Sequence, residues 1–505
     1  MLARIVATLC LLGALVSLGC MDPAQGREEK GSGAQAPEGG KLFLYPERIE
    51  LKKGGFAEVE RGMMFVPLIR SDPDSKVIGV EVYRFRASGD GPSGAPPVFR
   101  LYGGPGWSGL SGSLQRKGFY EEDIVPMIQL ADLVIVGQRG IGSSKPNTVC
   151  QGFQPLPLDR EVSLEEQAQA MRRTSIRCRD YWRSKGYGLS GFNVVEAAAD
   201  VRDVAQALGY QKIVIRGTSF GSHWGMAVMR FHPEIVARAV LSGMEGPDHT
   251  YDMPSGVLNA LQRIAEAAEK SPQLKDEIPP GGLIEAFKEV ISRVEKEPLV
   301  VEVNGKKVRF GADDVRSLAQ GYTRRTSSRN GIRNWPWDVL KLHSGDFGPA
   351  ARRRLANNRN RRFPTASFFM LDCGSGISQK REEVLNADPA AQLVGNLGWF
   401  YQVACPAWES DLGEEFRQNF STEIPTVIVH GNWDTSTPYD NALELAPYFK
   451  DSKMVTVLGG SHGALGEALR SSSEFREALM KFISTGDRSD LPEEVELPEL
   501  DWVTP

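Results

Sequence analysis

The chain has 505 residues, enough for one large domain with a substantial insertion or for two domains. Its hydrophobic fraction of 41% and charged fraction of 24% are those of a soluble globular protein. A net charge of −5 leaves no global positive field to draw it to nucleic acid, and six histidines without a His-Glu-x-x-His pattern give no support to a zinc hydrolase.

Residues 1–20 read as a leader. Arg4 supplies a positive start and Ile5 to Val16 an apolar run, shorter than the roughly 20 residues that a membrane-crossing helix needs. The run ends Ser17-Leu18-Gly19-Cys20, which resembles a bacterial lipoprotein cleavage site with Cys20 as the lipidated residue, although Ser17 stands where such sites usually carry Leu. Ordinary cleavage after the small residues would instead give a soluble exported chain. Residues 21–40, rich in Gly and charge, form a flexible tether. The expected location is the cell envelope, held through an N-terminal lipid or free in the periplasm, or the exterior. Apart from Cys10 and Cys20 the cysteines are Cys150, Cys178, Cys373 and Cys405. In an exported chain four cysteines imply two disulfides, and proximity favours Cys150–Cys178 and Cys373–Cys405 among the three connectivities.

The folded core is expected to begin at residue 41. Segments 77–87, 97–104 and 131–140 are short apolar runs followed by turn residues, and read as strands. Val194, Ala198, Val201, Ala205 and Leu208 recur at spacings of four and three, which predicts an amphipathic helix closed by Gly209. A strand over 212–219, a helix through Met226 and Met229, and a strand over 235–243 follow. This rhythm predicts a doubly wound, mostly parallel sheet. It breaks over 246–424, a polar, helical stretch read as an inserted cap. The cap carries two Arg-rich patches, the first Arg324, Arg325, Arg329 and Arg333, the second running from Arg352 to Arg362. The core resumes over 425–488 with strands at 426–434 and 454–460 and helices near 438–449 and 473–484. The acidic tail, 489–505, reads as surface or disordered.

Gly217-Thr218-Ser219-Phe220-Gly221 matches a nucleophile elbow. A strand runs into it and a helix leaves it, as a sharp strand-to-helix turn with small flanking residues requires. Serine needs a base to take its proton, and the base needs an acid to fix its tautomer. In an α/β-hydrolase these follow in the order Ser, acid, His, each after a later strand. Asp434 in HGNWDTSTP and His462 in GGSHG occupy those places. Asp440 is the alternative acid, and His430 reads as structural. The oxyanion hole is expected at Gly103-Gly104-Pro105-Gly106, with the Gly104 and Phe220 N–H groups as donors.

These motifs together resemble the proline iminopeptidase and tripeptidyl aminopeptidase group of α/β-hydrolases. The group's loop, Arg-Gly stretch, elbow, acid and histidine motifs correspond here to YGGPG (102–106), GQRGIGSS (137–144), GTSFG (217–221), GNWDTSTP (431–438) and SHG (461–463). The likeness spans roughly 60–490. It includes FVPLIRSDPDSKVIGVEVYRFRA (65–87) and a Cys-x-x-Trp at Cys405 and Trp408 that points to the tripeptidyl branch, whose paired cysteines agree with the disulfides above. Two departures stand out: Tyr102 replaces the usual His and Gly137 the usual Asp.

The resemblance implies a cofactor-free and metal-free serine hydrolase acting through an acyl-enzyme on a peptide or small ester. An aminopeptidase additionally needs a carboxylate to pair with the substrate's free ammonium, and Asp338, Asp372 and Glu409, beside the cap's Trp and Cys residues, are the candidates. A carboxylesterase or lipase would use the same triad under a more apolar cap. A catalytically dead binding module is disfavoured by retention of all three triad residues.

Overall fold

Short apolar runs, buried on both faces in the central strands, make the sheet. The computed structural model describes residues 39–51, 54–89, 94–106, 121–160, 162–319, 326–359, 364–408 and 410–504. The expected leader with Cys20 lies outside these residues, as does Glu409. The strands are β1 (Leu42–Glu50), β2 (Phe56–Pro67), β3 (Val77–Phe85), β4 (Val98–Leu101), β5 (Leu133–Val136), β6 (Ile213–Thr218), β7 (Val236–Ser242), β8 (Leu299–Val303), β9 (Lys306–Phe310), β10 (Thr426–Gly431), β11 (Ser452–Leu458) and β12 (Glu494–Glu496). One sheet takes the order β1-β2-β3-β5-β4-β6-β7-β10-β11-β12. The run from β5 to β12 is parallel, and β1, β2 and β3 add antiparallel at one side.

Period-two alternation sends neighbouring side chains to opposite faces. Ile213 and Ile215 of β6 enter one apolar core and Val214 the other. The first core is completed by α1 (Leu164–Ser184), α2 (Val194–Ala207) and α3 (Phe220–Phe231), the second by a C-terminal helix, Ser473–Thr485, through Phe475, Leu479 and Phe482. The amphipathic spacing places Val194, Ala198, Val201 and Ala205 of α2 in the core, and the Asn193 side chain caps its start by accepting from Glu196 N–H at 2.9 Å.

The stretch between β7 and β10 departs from a single helical cap. Helices α4 (Pro254–Lys270), α5 (Gly282–Lys296) and α6 (Trp335–His343) share a third core. Helix α7 (Ala366–Ser375) and the short α8 (Trp399–Ala404) instead place Phe369, Met370, Leu371, Val403 and Ala404 in the first core of the sheet domain. The stretch also contains the β8–β9 hairpin, turned at Asn304-Gly305 with both residues at positive φ, the conformation an Asn-Gly turn favours. The Arg-rich patches are partly consumed internally: Arg354 pairs with Asp314 and Arg333 with Asp501. Disulfides join Cys150 to Cys178 and Cys373 to Cys405.

The acidic tail is not a disordered appendage. Val495 pairs with Val457 as β12 joins the sheet edge, and Leu491, Leu497 and Trp502 are buried. Apolar residues spaced among the acidic ones supply that burial. Among the described residues no helix is long and apolar enough to cross a membrane.

Candidate active site

The adjacent strands β4 and β6 send their connections to opposite sides of the sheet, β4 to β5 and β6 to β7, which opens a crevice beyond their carboxyl ends, where open α/β sheets bind ligands. Ser219 stands there, directly after β6, with φ 60° and ψ −134°. That strained turn demands bare neighbours. A Cβ on Gly217 would lie 2.2 Å from Gly221 O, and one on Gly221 would lie 2.1 Å from Leu101 O. The Gly-x-Ser-x-Gly spacing is therefore a packing requirement of this turn. Phe220 is the first residue of α3, so its N–H has no acceptor within the helix and sits at the positive end of the helix dipole.

Asp434 and His462 follow β10 and β11 and meet each other. His462 Nδ1 lies 2.9 Å from Asp434 Oδ2 and 3.1 Å from Oδ1. An ionised carboxylate only accepts, so Nδ1 carries the proton and Nε2 is left as the base. Burial alone would raise the Asp434 pKa, but the adjoining His462 holds it below the ordinary range; for His462 burial opposes the charge and Asp434 outweighs it, so its pKa lies above 6.5. Asp434 is further oriented by Ser436 N–H (2.8 Å), Thr437 N–H (3.0 Å) and the Thr437 hydroxyl (3.0 Å). Thr437, whose Oγ also lies 3.2 Å from His462 Nδ1, was not singled out in the sequence, although the Thr-Pro after the acid was its available signal. Ser219 and His462 flank the end of β7: Ser219 N–H donates to Ser242 O at 3.0 Å, and a Cβ on the next residue, Gly243, would lie 3.1 Å from His462 Cε1. Asp440 accepts instead from Asn259, and His430 is buried against Tyr439, its pKa lowered by burial.

The glycine loop after β4 passes against the serine. A Cβ on Gly103 would lie 3.2 Å from Ser219 Oγ, and Gly104 has φ +118°, a conformation only glycine adopts without strain. Beyond the loop a row of rings begins. Gly106 abuts Phe368, Phe368 stacks on Tyr401 at 6.4 Å, and Tyr401 stacks on Tyr251 at 5.0 Å.

At the end of that row stand three carboxylates. Asp372 accepts from the Tyr401 hydroxyl at 2.7 Å and is 1% exposed, and burial raises its pKa to about 8. Glu245 is pushed well above the carboxylate range by burial and then by Asp372 and Asp252. Asp252 is raised by burial and then by Asp434, with His462 opposing. Among the described residues none of the three has a cationic side chain within 4.0 Å, and no His, Cys, Asp and Glu cluster is arranged to hold a metal ion. Of the two carboxylates singled out in the sequence that lie among the described residues, Asp372 belongs to this group and Asp338 does not. Asp338 lies on α6, where Arg353 donates to it at 2.8 Å within the third core's surface. Glu245 and Asp252 lie in the loop after β7, and no local pattern marks them.

Residues 96–281 match the alpha/beta hydrolase fold family, and residues 391–493 match the family described as TAP-like protein. The chain is 27% identical over 195 residues to the serine protease Hip1 of Mycobacterium tuberculosis and of Mycobacterium bovis, covering 37% of this chain and 36% of theirs. The chain thus spans about a third of the length of these relatives. An esterase of known structure from Exiguobacterium antarcticum aligns with 12% identity and a TM-score of 0.37, over 82% of this chain and 97% of that one.

Proposed function

We propose that this chain, a hydrolase of the TAP-like family in the α/β-hydrolase superfamily, is an exported serine aminopeptidase that releases residues or short peptides from free N-termini. In this reading Ser219 attacks the scissile carbonyl while His462 Nε2 takes its proton and Asp434 stabilises the imidazolium. The Gly104 and Phe220 N–H groups receive the developing oxyanion. His462 then protonates the leaving amine, and water hydrolyses the acyl-enzyme by the same route in reverse.

One observation carries the peptidase reading: among the described residues Asp372, Glu245 and Asp252 have no cationic side chain within 4.0 Å, and Asp252 couples to the His462–Asp434 pair. Unpaired buried carboxylates are costly, so each must hold a proton or meet a cation. A substrate α-ammonium reaching past the ring row from Ser219 supplies that cation. The naming of the mycobacterial relatives as serine proteases and the two disulfides support the reading and its exported setting. The test compares aminoacyl-arylamides with their N-acetylated forms, alongside fluorophosphonate labelling of the wild type and Ser219→Ala. Labelling should vanish in the variant, and acetylation should abolish most turnover. Equal turnover of free and acetylated substrates would remove the aminopeptidase assignment, and cleavage of p-nitrophenyl esters with no amide cleavage would make the chain an esterase.

A further inference from the structure

We propose that Gln138 is a positioning residue that aims the Gly104 N–H into the oxyanion hole; this rests on the serine-hydrolase reading above. Gln138 follows β5 and is 3% exposed. Its side-chain NH2 donates to Tyr102 O at 3.1 Å and to Gly103 O at 3.0 Å, and its Oε1 accepts from Gly106 N–H at 2.9 Å. Both donors and the acceptor of one amide are thus spent on a single loop.

The direction of these bonds matters more than their number. In a trans peptide unit the C=O and the following N–H point in opposite directions. Drawing the Gly103 carbonyl toward Gln138 therefore turns the Gly104 N–H the other way. The strand order is β5-β4-β6, so the loop after β4 has Gln138 on its β5 flank and Ser219 on its β6 flank. The Gly104 N–H is consequently aimed at the serine's side. Glycine at 103, 104 and 106 leaves that loop little steric resistance to a flipped peptide, so an external clamp is needed to hold one orientation. The resemblance to the iminopeptidase group leads one to expect His at 102 and Asp at 137, but a Cβ on Gly137 would lie 3.0 Å from Glu81 O. The clamp in this chain falls to the next residue.

Gln138→Met removes the clamp, and Gln138→Glu reverses it. An ionised carboxylate repels the two carbonyls and attracts the Gly104 N–H, which flips the peptide away from the hole; a protonated one can again donate to a carbonyl. Removing an oxyanion donor costs on the order of 10²–10³ in kcat. Both variants should lose about 10–100-fold in kcat with KM within about twofold of wild type. Affinity for a peptide boronate, whose tetrahedral adduct places an oxygen in the hole, should fall in step. The activity of Gln138→Glu relative to wild type should rise as pH falls, a trend obtained from the ratio of each protein's own rates at two pH values, which is independent of how much of either preparation is folded. Wild-type kcat and boronate affinity in both variants would overturn the proposal, as would a pH-independent ratio with KM and kcat worsened together. A wild-type chain that fluorophosphonate does not label would overturn the serine-hydrolase reading itself.

Discussion

Replacing Asp372 by Asn isolates the charge proposed to hold the substrate's ammonium while keeping the side chain's size and its place beside Tyr401. An ammonium about 4 Å from a carboxylate gains ~4 kcal/mol at an effective dielectric of about 20. Burial has raised the carboxyl's pKa to about 8, so ionising it at pH 7 costs about 1.4 kcal/mol. The remaining 2.6 kcal/mol or so corresponds to roughly 80-fold in kcat/KM, reduced to roughly 15-fold if Asn keeps a neutral hydrogen bond worth about 1 kcal/mol. The assay is kcat/KM on an aminoacyl-arylamide and on its N-acetyl form, for both proteins. The loss should fall on the free amine alone. Its pH dependence has a definite sign: from pH 7 to 8 the ionised fraction of Asp372 rises about fivefold while the substrate amine loses about half its protons, so the wild-type advantage should grow about threefold. An equal loss on both substrates, or an advantage that shrinks over that interval, would refute the ammonium-anchor reasoning.

Asp434→Asn should lower kcat by about 10⁴-fold, because an amide can no longer select the tautomer that leaves His462 Nε2 as a base; active-site titration with fluorophosphonate corrects for misfolded protein. In the wild type, kcat/KM for acetyl esters should rise with pH through a midpoint above 6.5, since Asp434 stabilises the protonated His462 that must be emptied before attack, and a midpoint below 6.5 would contradict the pair's electrostatics. The Cys373–Cys405 disulfide, spanning 32 residues, ties the neighbour of Asp372 to the helix carrying Tyr401. Its removal by a double Ser substitution should cost about 3–4 kcal/mol in denaturant unfolding and raise KM for free amines more than for acetylated substrates. Trp502→Ala should cost about 3–5 kcal/mol, because the ring is buried and lies 6.2 Å from Trp433, the residue preceding Asp434.

What could be read in advance divides by range. The elbow, the acid and the histidine each sit in a short motif directly after an apolar strand, and strand periodicity together with glycine packing are local properties. Ser219, Asp434 and His462 were therefore legible as positions. The β8–β9 hairpin was marked by Asn304-Gly305 but lay in a stretch whose composition reads as helical. The tail's four buried apolar residues were hidden by the acidic residues between them, because a three-residue strand has too little pattern to stand against composition.

The carboxylates show where local reading stops. Asp338 and Asp372 look alike in sequence, each beside aromatic residues in the inserted stretch. They differ only in what folding brings to them. Arg353, fifteen positions later, faces Asp338 and cancels its charge, whereas Asp372 accepts from Tyr401 and, among the described residues, has no cationic side chain within 4.0 Å. Glu245 and Asp252 reach the site because the chain, having left β7 beside His462, must cross the crevice mouth before α4 begins. Position on that crossing decides the outcome: Asp252 is delivered within electrostatic reach of Asp434 and His462, whereas Asp248 accepts from the Ser378 N–H and hydroxyl at 2.6 and 2.5 Å. The charges surrounding the Asp372 anchor are thus in part a property of the route between β7 and α4, so moving a carboxylate along residues 243–252 should shift the length of peptide released while leaving the Ser219, His462 and Asp434 chemistry in place.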